Sequence, residues 1–104
     1  MNAESQASNT PNDTIHQPIR LRIMAALTAP DVEKEGIDFT RLKSLTGATD
    51  GNLGAHIDTL TRAGYVEVTK AFVGRRPRTT VRASASGRAA FAAHVAFLRA
   101  IIAG

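Results

Sequence analysis

Apolar residues recur at helical spacing along four segments of the chain. The first segment covers residues 19–27, and the second is shorter and runs over 39–45 before Gly47. The third covers 49–63 and places its leucines and isoleucine on one face, and the fourth covers about 84–103. The sequence therefore predicts four helices, the second and third of which are joined by a tight turn at Gly47.

Residues that favour helix ends stand at the boundaries of these segments. Pro18 fits the first turn of the first helix, and Gly64 suits a left-handed cap after the third. The candidate N-caps are Asp13 or Thr14 for a short helical start at Ile15–His16, Asp38 or Thr40 for the second helix, Thr49 or Asp50 for the third, and Ser84 or Ser86 for the last.

A different pattern lies between the third and last helices. Apolar and polar residues alternate over 65–73 and again over 79–83, which predicts two antiparallel strands. Residues 74–78 are then a loop, while 31–38 are a polar connection. The predicted fold is mainly α with a small β-hairpin, in the order helix, helix, helix, hairpin, helix.

Composition narrows the class of protein. Residues 1–12 are polar and predict a flexible N-terminal arm, which leaves 13–104 as one domain. There is no cysteine among the 104 residues, so disulfides and thiolate metal sites are excluded. No apolar stretch approaches the roughly 18 residues of a membrane span, and the N-terminus does not resemble a signal peptide. We therefore expect a cytoplasmic protein without a membrane partner.

Charge is distributed unevenly along the chain. Residues 1–67 hold six Lys and Arg against nine Asp and Glu, whereas residues 68–104 hold seven Lys and Arg and no acid. Three arginines, Arg75, Arg76 and Arg78, fall within four residues of the hairpin. A basic run is often only a solvated face, but one without interspersed acids favours a surface that binds phosphates.

Catalytic and metal-binding arrangements are lacking in the sequence. The segment TDGNLG lacks the Lys-Ser/Thr ending of a nucleotide-binding loop, and no Ser, His and acid set stands out. His16, His56 and His94 lie about 40 residues apart without ligand spacing, so structural roles are expected. The sequence predicts no enzyme activity, no cofactor and no metal.

Two short helices followed by a basic hairpin are the parts of a winged helix-turn-helix. A helix over 49–63 is short enough to lie in a major groove, and its small outward residues allow close approach of the backbone. Asn52 has the side chain that reads adenine, although it could be merely exposed. Asp50 could be a cap instead of a DNA contact, and His56 could contact DNA or pack between helices.

At this point the chain resembles the ArsR/MarR-type winged-helix transcriptional regulators, in particular their compact single-domain bacterial group. The matching strings are IHQPIRLRIMAAL, FTRLKSLTGATDGNLGAHIDTLTRAGYVEV, GRRPRT and SGRAAFAAHVAFLRAII, which together span residues 15–102. Two positions depart from the family pattern: Gly54 stands where Ser is frequent, and Ala83 stands where Leu often ends the second wing strand.

The resemblance implies a regulator that binds double-stranded DNA, with a recognition helix at about 49–63 and a wing at about 73–79. With the residue patterns above, it gives the candidate DNA-binding residues Thr49, Asp50, Gly51, Asn52, Ala55, His56, Thr59, Lys70, Arg75, Arg76 and Arg78. The expected activity is repression, by occupying a promoter. The alternatives are a protein-interaction module of the same fold and a non-specific nucleic-acid adaptor.

The last helix is apolar on two flanks, and one small domain covers only one of them. We therefore expect a homodimer formed through the terminal helices. The candidate interface residues are Ile15, Ile19, Phe91, Val95, Phe97, Leu98, Ile101 and Ile102. An unidentified small-molecule effector between the dimer helices stays an open alternative, since no polar cluster there indicates one.

Overall fold

The computed structural model describes residues 11–32 and 34–104. Within them, five helices pack with a three-stranded antiparallel sheet whose hairpin is largely exposed. The elements in chain order are α1 (Asp13–His16), α2 (Pro18–Leu27), β1 (Ile37–Asp38), α3 (Phe39–Thr46), α4 (Asp50–Arg62), β2 (Val66–Val73), β3 (Arg76–Ala83) and α5 (Ala85–Ala103). Most of the predicted arm over 1–12 lies outside the described residues.

Side-chain caps begin the helices at the positions where the sequence offers them. Asp38, Thr49 and Ser84 each accept a backbone N–H from the first turn of α3, α4 and α5, which confirms one member of each predicted pair. The prediction of Asp13 or Thr14 for α1 is wrong, because the Asn12 side chain accepts from the N–H of Ile15 instead. Asn12 therefore belongs to the folded domain and not to the arm.

Glycine makes the turn between α3 and α4 possible. Gly47 has a φ of 72°, a left-handed conformation that costs other residues free energy, and its N–H donates to the carbonyl of Lys43. The Arg22 guanidinium donates to the carbonyl of Thr46 at 3.3 Å, which ties α2 to the end of α3. Gly47 therefore ends α3 and begins the turn to α4, while Arg22 ties the end of α3 to α2.

The sheet has the order β1-β3-β2. β1 corrects the prediction of a wholly polar connection over 31–38, because Ile37 and Asp38 pair with Val81 and Thr80 of β3. A strand of two residues is too short to show the alternation of apolar and polar residues by which strands are predicted from sequence.

The hairpin is longer than predicted. β2 continues to Val73 and β3 begins at Arg76, so only Gly74 and Arg75 form the turn. The prediction of a loop over 74–78 is therefore wrong, and Arg76 and Arg78 are strand residues. Val73 and Arg76 form the hydrogen-bonded pair that closes the turn, so the next pair, Phe72 and Pro77, is a non-hydrogen-bonded one. Proline, which has no backbone N–H, is therefore tolerated at position 77.

The core lies between the helices and one face of the sheet. Its fully buried members come from α1, α2, α3, α4 and β3, and they are Ile15, Ile23, Met24, Leu42, Leu53, Leu60 and Val81. The place of Ile15 in this core corrects its assignment to the dimer interface, since its side chain is covered within one subunit. Ile19 is half-buried against the same core.

Candidate nucleic-acid interface

The α4 helix turns one face to the core and leaves the other open. Leu53, Ile57 and Leu60 are buried. Five predicted DNA-binding residues at its N-terminal half are exposed, namely Thr49, Asp50, Gly51, Asn52 and Ala55. Thr59, one turn further on, is half-buried, and its hydroxyl donates to the carbonyl of Ala55. The open face therefore consists mainly of small and polar residues near the helix N-terminus.

Asp50 forms an ion pair across the turn between α3 and α4. Its carboxylate lies 3.0 Å from the Lys43 ammonium, and Thr49 takes the N-cap position that the sequence left open between the two residues. Asp50 is exposed at the N-terminus of α4. The positive charge of Lys43 beside it weakens the repulsion between the Asp50 carboxylate and a DNA phosphate.

His56 is drawn toward α2. The Arg20 guanidinium donates to its Nδ1 at 3.0 Å, so the neutral ring carries its proton on Nε2. Burial and then the Arg20 charge lower the pKa of His56 below 6.5, which keeps the ring neutral at pH 7. Of the two roles that the sequence left open for His56, the observed contact is helix packing.

The basic residues of the hairpin differ in their partners. Arg78 lies 3.8 Å from the carboxylate of Asp38, and Arg82 lies 3.3 Å from that of Glu67. Lys70, Arg75 and Arg76 are exposed, and no acid among the described residues is within ion-pairing distance of them. These three residues are therefore the part of the wing whose charge is available to a ligand.

Helix α4 and the hairpin flank one open groove. Gly54, Asp58 and Thr61 of α4 lie on one side, and Lys70 and Thr79 of the hairpin lie on the other. The groove has a volume of about 660 Å³. Helix α4 and the hairpin thus border one groove, with Lys70 as its basic residue, whereas Asn52, Arg75 and Arg76 are not among the residues that line it.

Some exposed features of this side were not predicted. Arg41 of α3 lines a second hollow of about 790 Å³ with Arg76 and Arg78. The tip of the hairpin also carries Phe72 and Val73 with large exposed fractions. Arg41 lies 35 residues from Arg76 in the sequence, and no local pattern relates them.

Helix α5 carries the remaining predicted residues. Phe91, Val95, Phe97 and Leu98 are half-buried, while Ile101 and Ile102 are exposed. Among the described residues, α5 is the one helix long and apolar enough to meet the criterion for a membrane span, a criterion that helices of soluble proteins also meet. Its apolar flank is uncovered in the single subunit.

Two of the three histidines lie close together although they are far apart in the sequence. His16 and His94 lie 78 residues apart, yet their ring nitrogens are separated by 3.2 Å. No group of three His, Cys, Asp or Glu side chains within residues 11–32 and 34–104 has the spacing of a metal site. The pair therefore serves helix packing between α1 and α5.

Comparisons with known proteins agree with this architecture. Residues 19–102 match the family model of the winged helix DNA-binding domain. An uncharacterized protein of Methanocaldococcus jannaschii is 34% identical over 73 residues, which are 70% of this chain and 75% of that protein. The structure of the transcriptional regulator homologue protein from Pyrococcus horikoshii OT3 superposes with a TM-score of 0.79 at 28% identity, covering 99% of this chain and 97% of that one. The chain belongs to the winged helix DNA-binding domain family, and it is a winged-helix transcription regulator.

Proposed function

We propose that this protein is a sequence-specific repressor that binds double-stranded DNA as a homodimer, with α4 in the major groove and the hairpin as a wing along the backbone. One observation carries the proposal: α4 and the hairpin border the same groove, and Lys70 brings a positive charge to its hairpin side. Since the partner is chromosomal DNA, we place the protein in the cytoplasm and assign it no catalytic role.

The N-terminal half of α4 suits close approach to bases. Gly51, Gly54 and Ala55 have little or no side chain, and a methyl group at either glycine would meet open space. Asn52 stands among them, exposed, and an asparagine amide can make the paired hydrogen bonds that select adenine. We therefore assign base recognition to Asn52 and backbone approach to its small neighbours.

The homodimer would supply the second half of the site. Ile102 of α5 is 84% exposed and Ile101 is 61% exposed, so this end of the helix offers apolar surface to a second subunit. A twofold axis through this flank would place two α4 helices about 34–36 Å apart, one turn of DNA. The preferred site of such a dimer is a palindrome.

The decisive experiment is selection of bound duplexes from a random library at physiological salt. We expect enrichment of a palindrome by the wild-type chain, and for Asn52→Ala a relaxed preference at one base pair of each half-site, worth about 1–3 kcal/mol. Binding without any enriched sequence would favour a non-specific adaptor. Absence of duplex binding would leave a protein-interaction module as the better interpretation.

The wing predicts a separate, sequence-independent effect. Replacing Arg75 and Arg76 together with alanine should weaken binding to every duplex at least tenfold. The slope of log affinity against log salt should become shallower by about 0.9 for each phosphate that the protein no longer neutralises. Fluorescence anisotropy of a labelled duplex across a salt series measures both quantities. The matched control is Arg82→Ala, since Arg82 is ion-paired with Glu67; an equal effect of this control would contradict the assignment of the wing.

A further inference from the structure

The tip of the hairpin carries an aromatic side chain that the fold does not use. Phe72 is 75% exposed and lies opposite Pro77 in the strand pair. Nearer the core, the half-buried Val68 opposes the fully buried Val81. A bare aromatic ring in water forgoes the free energy that burial of its apolar surface would give. Its exposure therefore points to a partner.

Strand periodicity places this ring on a defined face. Val68, Lys70 and Phe72 alternate along β2 and share the face that borders the α4 groove. Phe72 projects from that face about 7 Å beyond Lys70, since a strand rises about 3.3 Å per residue. Val73 belongs to the opposite face, with Arg76 as its partner in β3. The ring thus extends the proposed DNA surface at its outer end.

The charges around the ring select the kind of partner. Lys70 shares the face of Phe72 and Arg75 lies in the turn that follows Val73, and no acid among the described residues is ion-paired with either cation. A second copy of the hairpin docked there would bring these like charges together, which disfavours self-association through this tip. A polyanion with apolar surface in a narrow cleft fits instead, and the minor groove of DNA offers both.

We infer that Phe72 is an apolar wedge that enters the minor groove beside the recognition site, packs on deoxyribose and base edges, and partly opens one base step. Lys70 on the same face and Arg75 in the turn then pair with the phosphates beside the insertion. Pro77 limits the motion of the strand behind the ring. Such a wedge gives a preference for flexible pyrimidine–purine steps at positions that α4 does not read. This inference rests on the proposed DNA binding.

Affinity and salt dependence separate the wedge from the wing cations. Phe72→Ala should weaken binding of a labelled 30-base-pair mixed-sequence duplex about tenfold, with the salt slope unchanged because no charge is removed. Val73→Ala, on the opposite face of the same tip, is the matched control and should stay within twofold of wild type. Equal affinities for Phe72→Ala and wild type, or equal losses in both variants, would overturn the wedge.

A spectroscopic test follows from the absence of tryptophan in the chain. In Phe72→Trp the single indole should be quenched by the same duplex and shielded from acrylamide, whereas in Val73→Trp the indole should stay accessible. Duplex binding by anisotropy with an unshielded indole at position 72 would overturn the wedge alone. If the duplex produces no change in anisotropy, the protein does not bind it, and both the wedge and the proposed function are overturned. Shielding without DNA, or only by anionic phosphatidylserine vesicles, would assign the ring to a second chain or to a membrane and overturn the wedge.

Discussion

Replacing Gly87 with alanine should lower the free energy of unfolding by about 3 kcal/mol or more, which is a large share of the stability of a small domain. An added Cβ would lie 2.0 Å from the carbonyl oxygen of Tyr65 and 2.8 Å from its carbon. Both atoms are backbone, so no side-chain rotation relieves the clash. Helix α5 or the start of β2 would have to move.

The surroundings of Gly87 resist such a movement. The N–H of Ser84 donates to the same Tyr65 carbonyl at 3.0 Å, and the Ser84 hydroxyl donates to the carbonyl of Gly64 at 2.6 Å. The hydroxyl also accepts the N–H of Gly87 at 2.9 Å. The first turn of α5 is therefore clamped to the beginning of β2, and a shift at Gly87 would break these hydrogen bonds together.

Urea denaturation followed by far-UV circular dichroism measures the effect. The matched control is Gly51→Ala, also a glycine in the first turn of a helix, where the added methyl group meets nothing within 4 Å. Alanine favours helix over glycine, so the control should be as stable as wild type or more stable by up to about 1 kcal/mol. A Gly87→Ala chain as stable as this control would refute the clash.

Gly87 also illustrates what sequence patterns leave out. The helical faces of α4 and the caps Asp38, Thr49 and Ser84 are local features, and local spacing predicts them. The need for glycine at position 87 arises from a contact with a residue 22 positions away, which no periodicity records. The same holds for β1, whose two residues become a strand only because β3 lies beside them.

The candidate interface divides in the same way. Exposure of Asn52 and Ala55 follows from the apolar face opposite them, so the helical pattern is enough to predict it. Partners distant in sequence decide the other positions. Arg20 engages His56 from 36 residues away, and Asp38 lies beside Arg78 from 40 residues away. From the local sequence, Arg75, Arg76 and Arg78 are equally good candidates for binding phosphate. The structure distinguishes them, because Arg78 has an acidic partner.

A second large effect is expected at His94, which joins the two ends of the folded chain. Its ring is 1% exposed; Nδ1 accepts the backbone N–H of Asn12 at 3.1 Å, and Nε2 faces Nδ1 of His16 at 3.2 Å. His94→Ala leaves a cavity and an N–H without its acceptor, so the free energy of unfolding should fall by about 2–4 kcal/mol. Urea denaturation at pH 7.5 measures this loss.

The same contacts predict acid sensitivity. Burial and then the charge on His16 lower the pKa of His94 below 6.5, because a protonated ring would be desolvated and its Nδ1 would face a donor. The unfolded chain takes up this proton near pH 6.5, whereas the folded chain takes it up only at lower pH. The contribution to stability is therefore complete above pH 6.5 and is lost as the pH falls toward the folded-state pKa. His56 acts in the same direction.

Stability at pH 7.5 and at pH 5.5 tests this linkage. Wild type should be less stable at pH 5.5, and His94→Ala should lose less on the same change because the buried group is gone. His16→Ala is the comparison variant: it keeps the Asn12 hydrogen bond to His94 and removes only the smaller cause of the lowered His94 pKa, so most of the acid loss should remain. An equal acid loss in wild type and His94→Ala would show that other groups cause it. The His94 contacts hold α1 against α5, and α1 carries Ile15, which is buried in the core. We therefore expect protonation of His94 to detach α1 first.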